Sequence, residues 1–195
     1  VTCPPGIKLE LWFHIEDRVK SLVQYSRSLA DTDKAMVELA GSLPFANWVE
    51  TTECHGFSLL SYAKLIGTVR NLADYHSPSA LWKMLGLAPI TKGDDTKAGS
   101  TWMYSGGLLA EEWKEAGYSP QRRSMCYVFG DGLLKAGGGI DNPDKWSRYS
   151  KIYYDRKAYE QRLHPQLKPV VHHRRAQRVM EKRLIRDLWI MWRDL

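Results

Sequence analysis

A chain of 195 residues is long enough to bury one good hydrophobic core with an appended arm. With 44% apolar and 26% charged residues it is a globular protein, not a disordered tail, and no apolar run approaches the ~20 residues that span a bilayer. The net charge of +6 hides an asymmetry: residues 1–120 carry 11 Lys/Arg against 14 Asp/Glu, a net of −3, and residues 121–195 carry 17 against 8, a net of +9. A basic half beside a near-neutral one fits nucleic-acid contact, and equally a solvated basic surface with no partner.

In chain order, residues 7–40 place Ile15, Leu22, Leu29 and Met36 at sevenfold spacing, with Val19, Tyr25 and Leu39 adding to the seam. This predicts a helical hairpin or coiled coil, interrupted at Ser26 and Asp33. The alternative is a helix packed within its own domain. Residues 1–44 are taken as this arm and 45–195 as the main domain, with Pro44 to Thr52 connecting them.

The stretch from Cys54 to Pro89 reads as a helical hairpin. His55-Gly56-Phe57-Ser58 forms a turn in which Gly56 permits unusual backbone angles and Ser58 caps the next helix. Leu59, Ala63 and Ile66 share one face of that helix, and Gly67 is its expected stop. Ser77 followed by Pro78 starts a second helix with the apolar stripe Leu81, Met84, Leu85 and Ala88. The free N–H groups of a helix N-terminus at such a glycine turn are a natural seat for a DNA phosphate, so Gly56, Phe57 and Ser58 are expected to contact DNA. An ordinary packed hairpin is the alternative.

Residues 90–118 are expected to form a long polar, Gly-rich loop with a short helical part near Leu108–Glu115. Ser119-Pro120 repeats the capped start, with Met125, Val128, Phe129, Gly132 and Leu133 facing the core and Gly137-Gly138-Gly139 ending the helix. Asn142-Pro143 is expected to open a third helix, whose Trp146, Tyr149, Tyr153 and Tyr159 read as core aromatics. In the last helix Ala176, Met180, Leu184, Leu188, Met191 and Leu195 form an apolar row, and Arg175, Arg178, Lys182 and Arg186 form a basic one. That pattern suits a helix packed on one side and facing phosphate on the other. A membrane-surface helix shares it. The fold expected is all-α, without internal repeats or Rossmann or P-loop glycines.

The three cysteines, Cys3, Cys54 and Cys126, form no CxxC pair. Neither a disulfide framework nor a zinc site is expected, and reduced thiols point to a cytoplasmic protein. His172-His173 lack other ligands at useful spacing, so no metal is expected.

The motifs Gly56-Phe57-Ser58, Ser77-Pro78 and Gly86-Leu87-Ala88-Pro89 resemble the helix-hairpin-helix of the C-terminal Tnp region of the IS one-ten insertion-sequence transposases, the bridge-RNA-guided recombinases. In that family an Arg-rich helix, an aromatic helix and a basic helix follow. Gln121-Arg122-Arg123, Tyr154 to Leu163 and Glu181 to Trp189 stand in the same order here, so the resemblance covers roughly residues 45–195. Ser58 departs from the family's second turn glycine.

The resemblance implies a helix-hairpin-helix DNA-binding domain acting as part of a transposase or site-specific recombinase. DNA is the implied partner, with room for a guide RNA, and the N-terminal arm implies a homo-oligomer. It also implies a serine nucleophile at Ser105, in Tyr104-Ser105-Gly106-Gly107, with Ser100 a weaker counterpart and Arg122 and Arg123 supplying charge. Leu108-Leu109-Ala110-Glu111-Glu112 replaces the family's basic residues there. The family's acidic, metal-binding RuvC-like domain would precede Val1; no cofactor is expected in this chain, and the chain alone is expected to cut nothing. Two other readings stay open: a stand-alone, inactive DNA-binding protein, and a helical protein-interaction module with an acidic partner.

Overall fold

The computed structural model describes residues 6, 8–88, 90–91, 102–103, 111 and 119–195. Apart from one two-residue strand pair, the regular elements among them are helical. The first, α1 (Leu9–Gly41), is a single uninterrupted 33-residue helix, not a hairpin. Only its C-terminal turns join the core, through Ala40 and Met36, beside an ion pair of Asp33 with Lys64 at 3.2 Å. Ile15, Val19, Leu22, Tyr25 and Leu29 remain exposed along the rest.

Phe45, at φ 66°, turns the chain into the short α2 (Ala46–Val49), and the Tyr62 hydroxyl donates to the Pro44 carbonyl to hold that corner. A 3-10 turn (Thr52–Cys54) leads to Gly56 at φ +98° and then to α3 (Leu59–Val69). Ser58 caps α3 by accepting the Ser61 N–H at 3.2 Å. Gly67 does not stop this helix. It continues through the buried Val69 and ends at Arg70, whose φ is 66°. One interior glycine costs a helix only about 1 kcal/mol, and burying Val69 offsets that.

A 3-10 turn (Leu72–Asp74) precedes α4 (Pro78–Met84), which starts at Ser77-Pro78 as its sequence requires, with Ser77 Oγ accepting the Ala80 N–H. The Gly-Leu exit is a Schellman cap. Gly86 sits at φ +70°, its N–H donates to Lys83, and the N–H of the buried Leu87 donates to Trp82. Strands β1 (Ile90–Thr91) and β2 (Trp102–Met103) then form an antiparallel pair inside the stretch expected to be loop.

Helix α5 (Pro120–Ala136) starts at the Ser119 cap and ends at Gly138, φ +69°. On its expected apolar face Val128 is instead exposed, while Cys126 is fully buried. Asn142-Pro143 opens only a 3-10 turn (Pro143–Lys145), because the Asn142 side chain points backward and donates to the Gly138 carbonyl. The helix itself, α6 (Arg148–Leu163), begins after Ser147, which accepts the Ser150 N–H.

The last helix, α7 (Pro169–Arg193), runs antiparallel to α6, tied by Tyr149 to Asp187 at one end and by Glu160 to Arg175 at the other. It is the spine of the core. Ala176, Met180, Leu184 and Leu188 are buried as their spacing predicts, whereas Leu195 is exposed. The buried face is wider than one row: His172, Gln177, Glu181, Ile185 and Trp189 are internal too. Three indoles pin the α3–α4 segment to this end of the molecule, Trp189 to the Tyr75 carbonyl, Trp192 to the Asn71 side chain and Trp82 to the Lys182 carbonyl. No helix among the described residues is long and apolar enough to cross a membrane.

Candidate nucleic-acid interface

The hairpin turn packs on α5 through Gly56 and Phe57 and leaves His55 and Ser58 exposed. A Cβ at Gly56 would lie 2.4 Å from the Gly132 carbonyl oxygen and 2.8 Å from the Ala136 Cβ, so its missing side chain lets α5 approach. Phe57, expected at a DNA surface, is a core residue that meets Phe129 edge-on at 5.2 Å. Ser58 is exposed, but its hydroxyl is engaged in capping. The concavity beside the turn is lined by the acidic Glu50 as well as by Thr51 and His55.

The two α5 arginines are also engaged. Arg122 donates to the Met84 carbonyl at 3.4 Å, at the C-terminus of α4. Arg123, only 15% exposed, forms an ion pair with Glu181 at 2.8 Å. Burial pushes the Glu181 carboxyl up to about 7, against the opposing pull of Arg123 and Arg178. Arg123 is therefore the counter-ion of a core carboxylate, not a surface cation.

The basic row of α7 lies elsewhere. Arg175, Arg178 and Lys182 line one concavity of about 350 Å³ between α6 and α7. Arg156, Tyr159, Glu160 and His164 complete it from the α6 side, and Arg186 is not part of it. Glu160 is the floor, 1% exposed. One of its oxygens accepts from Arg156 Nε at 3.0 Å and from Arg156 Nη2, and the other accepts from Arg175 Nη1 at 2.9 Å. Burial alone would raise this carboxyl; the hydrogen bonds from Arg175 and Arg156 outweigh it and hold the group below its ordinary value.

Around that floor the surface is positive. The Arg156 guanidinium lies 4.8 Å from the Tyr159 ring centre, and the Lys182 ammonium lies 5.1 Å from that of Trp82. Lys182 is shifted below the usual lysine range by burial first and then by Arg178 beside it. Tyr159, read from sequence as a core aromatic, is exposed at the rim, whereas Tyr149 and Tyr153 are buried. Sequence reasoning gave Arg156, Tyr159 and His164 no site role. The available signal was the Arg156–Glu160 pair at i, i+4, on the helix that a five-residue connection folds back against α7.

Ser105 and Ser100 lie outside the described residues, as does Cys3. Cys54 and Cys126 are buried free thiols, each pushed up to about 12 by burial. His172 donates its Nε2–H to the His164 carbonyl, and His173 Nδ1 meets the Tyr153 hydroxyl at 2.7 Å. Among the described residues no group of three or more His, Cys, Asp or Glu side chains is placed to hold a metal ion. Compared with protein-family models, curated proteins and solved structures, the chain matches none of them.

Proposed function

We propose that the chain binds DNA through the basic α6–α7 face, as the C-terminal part of a transposase or site-specific recombinase. The observation that carries the binding half is the concavity in which Arg156, Arg175, Arg178 and Lys182 surround a single carboxylate. Cations gathered on a concave surface attract a polyanion and gain affinity by releasing its counter-ions, without reading bases. The transposase half rests on the order of the motifs from Gly56 to Trp189. In that setting Ser105 is the nucleophile of strand cleavage and the exposed apolar face of α1 is a contact between copies of the chain.

Salt titration of binding to a duplex of arbitrary sequence tests the binding half. Replacing Arg175, Arg178, Lys182 and Arg186 together by Gln should weaken binding uniformly across sequences and flatten the dependence on log salt by roughly one per lost phosphate contact. Absence of binding at low salt, or an unchanged slope in the quadruple variant, would sink it. With an acidic-cluster domain supplied upstream, Ser105→Ala should abolish any covalent protein–DNA adduct and leave affinity unchanged; a surviving adduct removes Ser105 from the mechanism.

A further inference from the structure

We propose that the α6–α7 concavity is a discrete socket for one phosphate group, with Arg156 and Arg175 as its two jaws and Glu160 as the positioning residue that aims them. This deepens the DNA-binding reading and rests on it only for the source of the phosphate, a nucleic-acid backbone.

The first argument is charge. A buried carboxylate needs one cation to be compensated. Glu160 has two guanidiniums in contact, and Arg178 and Lys182 line the same space. Arg178 also acts on Glu181, so counting Arg156, Arg175 and Lys182 against Glu160 leaves an excess of about two positive charges in this concave volume. An oxyanion with one or two negative charges relieves it.

The second argument is geometry. A guanidinium has five N–H donors. Arg156 gives Nε and Nη2 to one oxygen of Glu160, and Arg175 gives Nη1 to the other. Each guanidinium is thus fixed along one edge and keeps further donors for a second acceptor. Both are a little over one-third exposed, while the carboxylate is 1% exposed. Solvent therefore reaches the donors and not the acceptor. Guanidinium pairs held this way match the tetrahedral oxygens of a phosphate better than ammonium groups do.

The test uses the full chain and inorganic phosphate as the probe. Replacing chloride by phosphate at constant ionic strength should raise the melting temperature and shift the Nε resonances of Arg156 and Arg175, because a ligand that binds only the folded state stabilises it. Arg175→Gln should abolish both effects, and Arg27→Gln on α1 should not. Should Arg175→Gln fail to fold, Tyr159→Glu places a negative charge at the rim beside Arg156, removes neither donor to Glu160, and should abolish the phosphate response equally. A wild-type chain indifferent to phosphate overturns the socket, even if duplex DNA still binds with the salt slope of a diffuse basic surface. A phosphate response lost in both variants, with duplex affinity unchanged, upholds the socket and refutes the DNA reading of it. Loss of both responses, with the duplex salt slope reduced by roughly one, upholds the two together.

Discussion

Gly56 separates a structural role from a DNA-contacting one, and the two predict different measurements. Substitution by Ala forces a side chain into φ +98°, a left-handed conformation that costs an L-residue about 1–2 kcal/mol. The new Cβ also meets the Gly132 carbonyl oxygen at 2.4 Å, and a backbone atom cannot swing aside. Overpacking of this kind costs about 1–3 kcal/mol. Together Gly56→Ala should lose about 2–5 kcal/mol, a fall in melting temperature of roughly 5–15 °C for a chain of this size.

Gly132→Ala supplies the internal control. Its Cβ meets the Gly56 carbonyl oxygen at 2.5 Å, so the steric cost is similar, but Gly132 is helical and gains about 1 kcal/mol of helix propensity. It should therefore cost only about 0–2 kcal/mol. Denaturant unfolding of both variants and the double variant measures the difference, and the double should lose less than the sum because one widening of the α3–α5 contact relieves both clashes. If Gly56 instead lets a phosphate approach, Gly56→Ala would lose no more than the backbone strain of about 1–2 kcal/mol and would lose DNA affinity. A loss below about 0.5 kcal/mol, the scatter of ordinary surface changes, refutes the packing argument.

Two further predictions concern other parts of the molecule. The Glu181 carboxyl titrates near 4.5 when unfolded and near 7 when folded, so the folded state holds the proton more tightly. Its contribution is fully present below about 4.5 and is lost as pH rises through about 7, a change of order 3 kcal/mol. Glu181→Gln should remove that slope from a stability-versus-pH profile, whatever it does to absolute stability by leaving Arg123 unpaired, and an unchanged slope would show that Arg123 keeps the carboxylate ionised. On α1, Leu22 and Leu29 are 64% and 50% exposed. Changing both to Lys should shift the chain toward monomer in analytical ultracentrifugation with the main melting transition unmoved; a wild-type chain already monomeric at high concentration would dispose of the arm as a contact.

What the sequence discloses here depends on how local each cause is. Ser77-Pro78 and Ser119-Pro120 start helices because a hydroxyl and a ring act within four residues, and Gly86 ends one by the same short reach. Asn142-Pro143 has the same spelling but fails, since Asn142 turns back to Gly138. Gly67 fails as a stop because burial of Val69, a tertiary matter, decides where α3 ends. The apolar row of α7 was legible from its period. The fates of Arg123 and Arg175 were not, because they depend on Glu181 and Glu160, carboxylates on other helices whose placement no local pattern encodes.

Those two carboxylates divide the basic half of the chain between structure and surface. Glu181 is closed over by α5 and takes Arg123 as a partner with little solvent on either side, so that charge is consumed inside the core. Glu160 is equally buried, but its partners stand at the boundary and outnumber it. Burial raises the first carboxyl to about 7, and the arginines hold the second below its ordinary value. The opposite shifts follow from the balance at each site: burial outweighs Arg123 and Arg178 at Glu181, whereas the hydrogen bonds from Arg175 and Arg156 outweigh burial at Glu160. The +9 of residues 121–195 therefore does not project evenly from the surface. Part of it stabilises the α5–α7 contact through Arg123, and Arg156, Arg175, Arg178 and Lys182 meet at the cleft between α6 and α7.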